Sequence, residues 1–254
     1  MLDDLKGRVV LVTGASTGIG AAVARGFGRC GARVAIHYNR SRDEAEDVAG
    51  AVRAAGAEAL VLQGDVTVQA ELERVVAGAI EGFGRLDVLI NNAGDVVGRV
   101  PFDEASDDFI DFVMALNARS VVTACQLAVR QFKRQGHGNI INTTSVAARQ
   151  VGGPGTALYG PSKAFVQTLT RYLARDHAQD GIRVNAVAPG FVLTPLQERN
   201  TSAEQQERMA SGIPLGRAGV PEDLVGAYLF LASDAMSGWI TGATIDVNGG
   251  AFFG

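Results

Sequence analysis

Tyr159 and Lys163 stand four apart in Y-G-P-S-K (159–163), a spacing that stacks two side chains on one face of an α-helix. A free phenol, with a pKa of about 10, is a poor acid/base near neutrality. A lysine ammonium on the same face stabilises the phenolate, and a lowering of roughly three units corresponds to roughly 4 kcal/mol of differential stabilisation. Ser145 closes N-T-T-S (142–145) upstream; its hydroxyl can donate to a carbonyl and accept from the phenol. The three together suit proton transfer to or from an oxygen atom. Two readings stay open: a bare Tyr-x-x-x-Lys is often surface decoration, and a serine after a strand is often a turn or cap residue. Thr143 and Thr144 also compete for the serine's place. Gly160 and Pro161 are the two worst helix formers. Proline is tolerated in a first helical turn, where its missing N–H needs no partner. The helix is therefore expected to begin at or just before Tyr159, with Pro161 in its first turn; a start well before Thr156 would contradict this.

A second chemical feature is T-G-A-S-T-G-I-G (13–20). Glycines at 14, 18 and 20 allow a tight turn and close backbone approach to a ligand. The helix that follows would point free N–H groups and the positive end of its dipole at an anion. The spacing is G-x-x-x-G-x-G rather than G-x-G-x-x-G, and alone it also fits a plain turn.

These groups need a frame. Short apolar runs at 8–13, 33–38, 59–63, 86–91, 139–144, 182–188 and 243–247 read as strands. Between them lie helical stretches: one with Ile19, Val23 and Phe27 on a face, a charged one over 41–55, and one with Leu72, Val75, Val76, Ala79 and Ile80 on one side. Longer ones follow, within 106–134, from the Tyr159 stretch to about 179, and over 222–232. Strands without polar interruption, alternating with helices, predict an α/β fold: a doubly wound, seven-stranded parallel sheet covered on both faces. The chain, 254 residues and 47% hydrophobic, is read as one domain spanning 1–254. The segment 195–213 is the one long irregular connection, either a substrate lid or a surface excursion.

A net charge of −4 argues against a broad nucleic-acid face. No signal-peptide pattern opens the chain and no membrane span is expected, so the expected location is cytoplasmic. Cys30 and Cys125 read as core thiols in a reducing compartment. His37, His137 and His177 show no metal spacing, and no metal site is expected.

T-G-x-x-x-G-I-G, N-N-A-G (91–94), the serine of N-T-T-S, Y-x-x-x-K and P-G (189–190) occur in the order and spacing of the short-chain dehydrogenase/reductases, and the chain resembles that family over essentially its whole length. The resemblance implies a Rossmann-type fold, a nicotinamide cofactor and carbonyl/alcohol chemistry. It implies Tyr159 as acid/base, with Ser145, Lys163 and Asn117 in support, Asn117 shaping a kink and a water relay in the long helix. For the cofactor it implies Gly14, Ser16, Thr17, Gly18, Ile19 and Gly20 in the glycine turn, and Tyr38, Asn39 and Arg40 after the second strand. Asp65 would meet the adenine amino group, or cap a helix from 67 onward; Val66 would contact adenine through its main chain. Asn91 would steady the sheet near the cofactor, and Ala93 and Gly94 would keep the wall beside it thin. Tyr159 and Lys163 would hold the ribose end, and Pro189, Gly190, Val192 and Thr194 the carboxamide end. A scaffold on the same fold could lose Tyr, Lys or Ser, whereas this chain keeps all three.

Tyr38 stands where NAD-specific members of the family carry aspartate, and Arg40 and Arg42 follow; arginine can pair with a 2′-phosphate. NADP(H) is therefore favoured, with NAD(H) the alternative; Thr17, where many NADP-specific relatives carry a base, departs from the pattern. Phe191, Val96, Val97, Ala147, Gln150 and the 195–213 segment are expected to border a small carbonyl or alcohol substrate in a mixed pocket. 3-Oxoacyl-carrier-protein reductases and sugar or polyol dehydrogenases look similar overall. Arg130, Lys133, Arg134 and Arg171 form either a docking face for an acidic acyl carrier or a solvated helix face. The family resemblance implies a homotetramer, and Phe252 and Phe253 are expected to be exposed beyond the last strand.

Overall fold

The computed structural model describes residues 2–195 and 201–253. Seven strands form one sheet: β1 (Val9–Val12), β2 (Arg33–Tyr38), β3 (Ala59–Gln63), β4 (Val88–Asn91), β5 (Gly138–Thr143), β6 (Ile182–Pro189) and β7 (Thr244–Val247). Their order is β3-β2-β1-β4-β5-β6-β7, and every pairing is parallel. The expected strands are all present, with ends moved by at most about two residues, the usual uncertainty of a strand end. Strand alternation divides the core. Val10 and Val12 face a layer that includes Phe27, Val48, Val52 and Leu224, whereas Val9 and Leu11 face one that includes Leu72, Val75, Ala128 and Phe132. The first layer comes from α1 (Gly18–Arg29), α2 (Arg42–Ala54) and α8 (Pro221–Ala232), the second from α3 (Gln69–Phe83), α5 (Ser120–Gln135) and α6 (Tyr159–His177). The direction of winding reverses between β1 and β4, and that point opens a crevice beyond the strands' C-terminal ends.

The long helix is continuous from 107 to 135 but changes character on the way. α4 (Asp107–Met114) runs into one π-helical turn, Ala115–Arg119, before α5 begins. Asn117 lies inside that turn and is fully buried, so the helix changes its winding where the asparagine stands. By length and composition alone Asp107–Gln135 is apolar enough to cross a membrane, a property that the half-buried core helix of a globular fold shares. Its apolar face packs on the sheet through Val121, Ala124, Ala128 and Phe132.

The 195–213 segment is not simply irregular. α7 (Ala203–Ser211) occupies much of it, started by a capping box in which Ser202 and Gln205 satisfy each other's backbone N–H groups. Residues 196–200 of this expected lid lie outside the described residues. The last helix, α9 (Asp234–Ser237), leads to β7.

Candidate active site

α6 begins at Tyr159 and places Pro161 in its first turn, as expected. The backbone N–H groups of Tyr159 and Gly160 donate to Thr156 O, and that of Ser162 to Leu158 O, so the missing proline N–H removes no bond the helix needs. Gly160 has a separate reason. A Cβ there would stand 2.7 Å from Ala147 O, so only glycine lets α6 press against the turn that follows Ser145. The neighbouring hydroxyls are committed elsewhere: Thr143 Oγ1 shares a hydrogen bond with Tyr228 OH at 2.7 Å, and Thr144 Oγ1 donates to Val187 O at 3.1 Å. Ser145 Oγ accepts from Ala147 N–H at 3.1 Å and hydrogen-bonds the Tyr159 phenol.

Lys163 is 3% exposed, and its ammonium donates to Thr143 O at 3.1 Å. Gly94 lies directly beside it. A Cβ on Gly94 would be 2.8 Å from both Lys163 Nζ and Asn117 Oδ1, so both polar atoms face one small space over that glycine. Asn117 holds the chain that follows: its Oδ1 accepts from Asp95 N–H (3.1 Å), and its Nδ2 donates to Asp95 O (2.8 Å) and Val113 O (3.1 Å). Both amide hydrogens are thus taken, and Asn117 is first a clamp on the loop after β4. Within that loop Val97 sits at φ 66°, a conformation a β-branched residue avoids, held by its N–H on Asp95 Oδ1 at 2.9 Å.

Burial dominates the electrostatics of the pair. Burial pushes the Tyr159 phenol up to about 12, opposed by the Ser145 hydrogen bond and reinforced by the Asp95 carboxylate. Burial brings Lys163 down to about 8. Desolvation is the largest influence on the phenol and favours its protonated form, and the Lys163 ammonium stands 5.8 Å from the ring centroid.

These groups line a cavity of about 500 Å3 with Ile19, Pro189, Gly190, Val192 and Thr194. Val96, Ala147, Gln150 and Phe191 border it as expected; Val97 does not, because its strained backbone belongs to the Asp95 turn. Met209 and Ile213 come from α7 and the residues after it, so the expected lid segment does reach the cavity.

The glycine turn meets N-N-A-G at the crevice between β1 and β4. A Cβ on Gly14 would stand 3.0 Å from Ala93 Cα, and one on Gly20 would strike Gly14 O at 2.3 Å and Asn92 Nδ2 at 2.5 Å. Asn92 Nδ2 donates to Thr13 O and Gly14 O, both at 3.0 Å, and Thr13 Oγ1 accepts from the N–H groups of Asn92 and Ala93. Asn91 Nδ2 donates to Asn142 Oδ1 at 2.8 Å, tying β4 to β5 beneath the cleft, and to Cys125 Sγ. Asn92 and Thr13 were not singled out in the sequence; N-N-A-G carried the signal, but only the fold shows that its second asparagine staples the glycine turn. His37 was likewise given no role. Its Nδ1 accepts from Gly14 N–H at 3.0 Å, so Nε2 carries the hydrogen and donates to Gly64 O at 2.9 Å. Burial lowers its pKa and keeps it neutral for that bridge.

The turn fits a dinucleotide. Thr17, at the N-cap of α1, makes no side-chain cap, so the first-turn N–H groups around Gly18 and Ile19 remain for an anion. Gly18, at φ 56°, lies against Thr194 across the cleft, and Ser16 sits inside the turn. Asp65 caps no helix: α3 starts later, after Val68. Its Oδ1 accepts from Thr67 N–H and Oγ1, and it also engages Asn39 and feels Arg40, which together hold its carboxyl below the usual range. Tyr38 is buried, while Asn39 and Arg40 are exposed at the end of β2. Val66, Asn91 and Ala93 line a separate small cavity behind the turn. Two surface expectations change. Phe252 is not exposed but lies with its ring centroid 4.7 Å from the Arg149 guanidinium, its carbonyl held by Asn248 Nδ2, so Phe253 alone of the pair is open. In the basic group on α5 and α6, Lys133 pairs with Asp180 at 3.0 Å and Arg134 bonds Gln131, which favours the solvated face.

A sheet wound in this order, with a glycine turn at its switch point and a Ser, Tyr and Lys constellation beside it, defines a nicotinamide-dependent oxidoreductase class. A family model described as enoyl-(acyl carrier protein) reductase matches residues 14–251. The chain is 40% identical over 252 residues to L-rhamnose 1-dehydrogenase (NAD(P)(+)) of Sphingomonas sp. (strain SKA58), covering 98% of this chain and 97% of that one. It is 40% identical over 246 residues to the 3-oxoacyl-[acyl-carrier-protein] reductase FabG of Staphylococcus aureus, covering 95% and 97%. Among solved structures, an NADH-dependent reductase, A1-R′, responsible for alginate metabolism superposes with a TM-score of 0.91 at 38% identity, covering 99% of this chain and 100% of that one. The chain belongs to the short-chain dehydrogenase/reductase family and is an NAD(P)-dependent enzyme of it.

Gly20→Ala is expected to weaken NAD(P)H binding at least about tenfold, measured by nucleotide fluorescence, with circular dichroism unchanged, because the new methyl must displace Gly14 O or the Asn92 amide. Unchanged affinity would contradict the reading of this turn as the nucleotide cradle.

Proposed function

We propose that the enzyme interconverts a small carbonyl compound and its alcohol, with Tyr159 as the acid/base, Ser145 as the second donor to the reacting oxygen, and Lys163 and Asn117 in support. The observation that carries this is the shared cavity: Ser145, Tyr159 and Lys163 open onto one space, with the phenol held protonated by burial. The bound nucleotide supplies or accepts the hydride. In reduction Ser145 and Tyr159 hydrogen-bond the carbonyl oxygen as it gains charge, and Tyr159 delivers its proton. One ammonium hydrogen of Lys163 is on Thr143 O; the other two suit ribose hydroxyls and the space beside Gly94. Asn117 Oδ1 keeps a lone pair toward that same space, where a water can carry protons inward. The residues from Pro189 to Thr194 would receive the nicotinamide end, and Asp65, Val66 and the glycine turn the adenosine and pyrophosphate.

NADP(H) is the favoured nucleotide, because Tyr38 stands in place of an acid and exposed Arg40 and Arg42 follow it. A second reading, an NAD-dependent sugar or polyol dehydrogenase, draws support from the similarity to the rhamnose dehydrogenase and the NADH-dependent reductase. The segment around α7 acts as a lid over the substrate, and the enzyme works as a homotetramer; light scattering that found a monomer would remove the tetramer.

Tyr159→Phe is expected to keep nucleotide affinity within about twofold while turnover falls by at least about a hundredfold, assayed on a ketone and alcohol panel through nicotinamide absorbance with both nucleotides. Near-normal turnover in that variant would overturn the assignment, and a clear preference for NADH in the wild type would overturn the nucleotide choice.

A further inference from the structure

The charge of the substrate cavity does not follow the charge of the chain. Acids outnumber bases overall, 27 to 23, yet among the described residues that line the cavity none is Asp or Glu, while Arg99, Lys163 and Arg208 are all cationic. Lys163 is accounted for by the acid/base machinery. The two arginines are not part of that machinery. They also lie on none of the elements that build the nucleotide half, since neither belongs to β1, α1 or β2.

Each arginine comes from a different wall. Arg99 follows the clamped Asp95 loop and lies across the turn that leads into α6: its NH1 donates to Pro154 O at 3.1 Å, and Val100 N–H donates to Gly155 O at 3.1 Å. Two glycines make room for it. A Cβ on Gly153 would stand 2.8 Å from Arg99 NH1, and one on Gly155 2.9 Å from Arg99 Cβ. This guanidinium therefore has a built seat, on the segment that also sets the start of the Tyr159 helix. Arg208 comes from α7, with its side chain 68% exposed and 3.6 Å from Glu204 one turn away. An exposed pair of that kind is weak and readily exchanged for another anion. The carboxylate that acts on the phenol, Asp95, accepts from Val97 N–H in its own turn and does not line the cavity.

We propose that the substrate is an anionic carbonyl or alcohol compound, carrying a carboxylate or phosphate monoester that Arg99 and Arg208 recognise from opposite walls while its carbonyl or hydroxyl lies at Ser145 and Tyr159. This names the substrate class for the activity proposed above and rests on that reading. Guanidinium groups suit both anions, because their planar fork matches two oxygens at once. The pairing also sets orientation: with the charged end held at the arginines, the reacting carbon is directed to the inner end of the cavity.

The test is a matched set of ketones on one carbon skeleton, ending in a carboxylate, a phosphate ester or a neutral hydroxymethyl group, assayed with both nucleotides on the wild type and on Arg99→Gln/Arg208→Gln. The wild type is expected to favour one or both anionic members by at least about tenfold in kcat/KM, through KM, and raising salt from about 0.05 M to about 0.5 M should raise KM for those members alone. In the double variant the preference should fall to about one, while the Kd for the nucleotide shows that the cleft is intact. Carboxylate and phosphate members compared with each other identify the anion. A neutral member used as well as the anionic ones, or a double variant that keeps the wild-type preference, would overturn the proposal while leaving the oxidoreductase reading in place. Absence of turnover with every member and both nucleotides would instead sink that reading, and the substrate class with it.

Discussion

The site depends on a buried ammonium. Lys163 is almost completely enclosed, and among the described residues its hydrogen bond goes to a single backbone carbonyl, Thr143 O. Removing a cation from water is costly unless its donors are met, and the lowered pKa is the sign of that cost. The surrounding structure is arranged to hold it there. β5 supplies the carbonyl, Tyr228 fixes the side chain of the same threonine, and Gly94 leaves the space that the ammonium and Asn117 both face. The same desolvation acts on Tyr159 and holds its proton. A phenol held this way suits the proton-donor role proposed for it, and positive charge brought by an oxidised nucleotide would favour its ionisation.

Close approach is the second constraint. Gly14, Gly20, Gly94 and Gly160 each sit where a methyl would collide with a backbone or polar atom of the opposite wall. They let β1, β4, the Ser145 turn and α6 converge at the point where the winding of the sheet reverses. Asn92, Thr13 and His37 then bind those backbones together with neutral hydrogen bonds, so the glycine turn keeps its shape although glycine itself imposes none.

Much of this was legible in the residues. Strand and helix alternation foretold the sheet, since a parallel sheet buries both faces and leaves uninterrupted apolar runs. Pro161 placed the start of α6, because proline has few sites in a helix. Asn117 marked the place where the long helix changes to a π-helical turn. What could not be read was anything set by tertiary neighbours. Tyr159 and Lys163 looked like a pair in which the cation favours the phenolate; how strongly burial opposes that is something sequence spacing does not encode. Asp65 looked able to cap a helix, but its oxygen turned back on Thr67. Phe252 looked exposed until Arg149, distant in sequence, came to lie over it. The pocket looked mixed rather than strongly charged because Arg99 and Arg208 come from separate segments that only the fold brings to one cavity.

The central claim is that the fold by itself holds the Tyr159 phenol protonated. It is tested most directly by carbon-13 NMR of protein labelled at the tyrosine Cζ, with Tyr159→Phe to assign the resonance, titrated with and without oxidised nucleotide. The chain has only four tyrosines, so the resonance can be followed individually. In the free protein the phenol should stay protonated past its ordinary pKa of about 10, consistent with a value pushed up to about 12, and oxidised nucleotide should move its ionisation down toward neutrality. A phenol that already ionises near neutral pH in the free protein, or one that oxidised nucleotide leaves unmoved, would contradict the account.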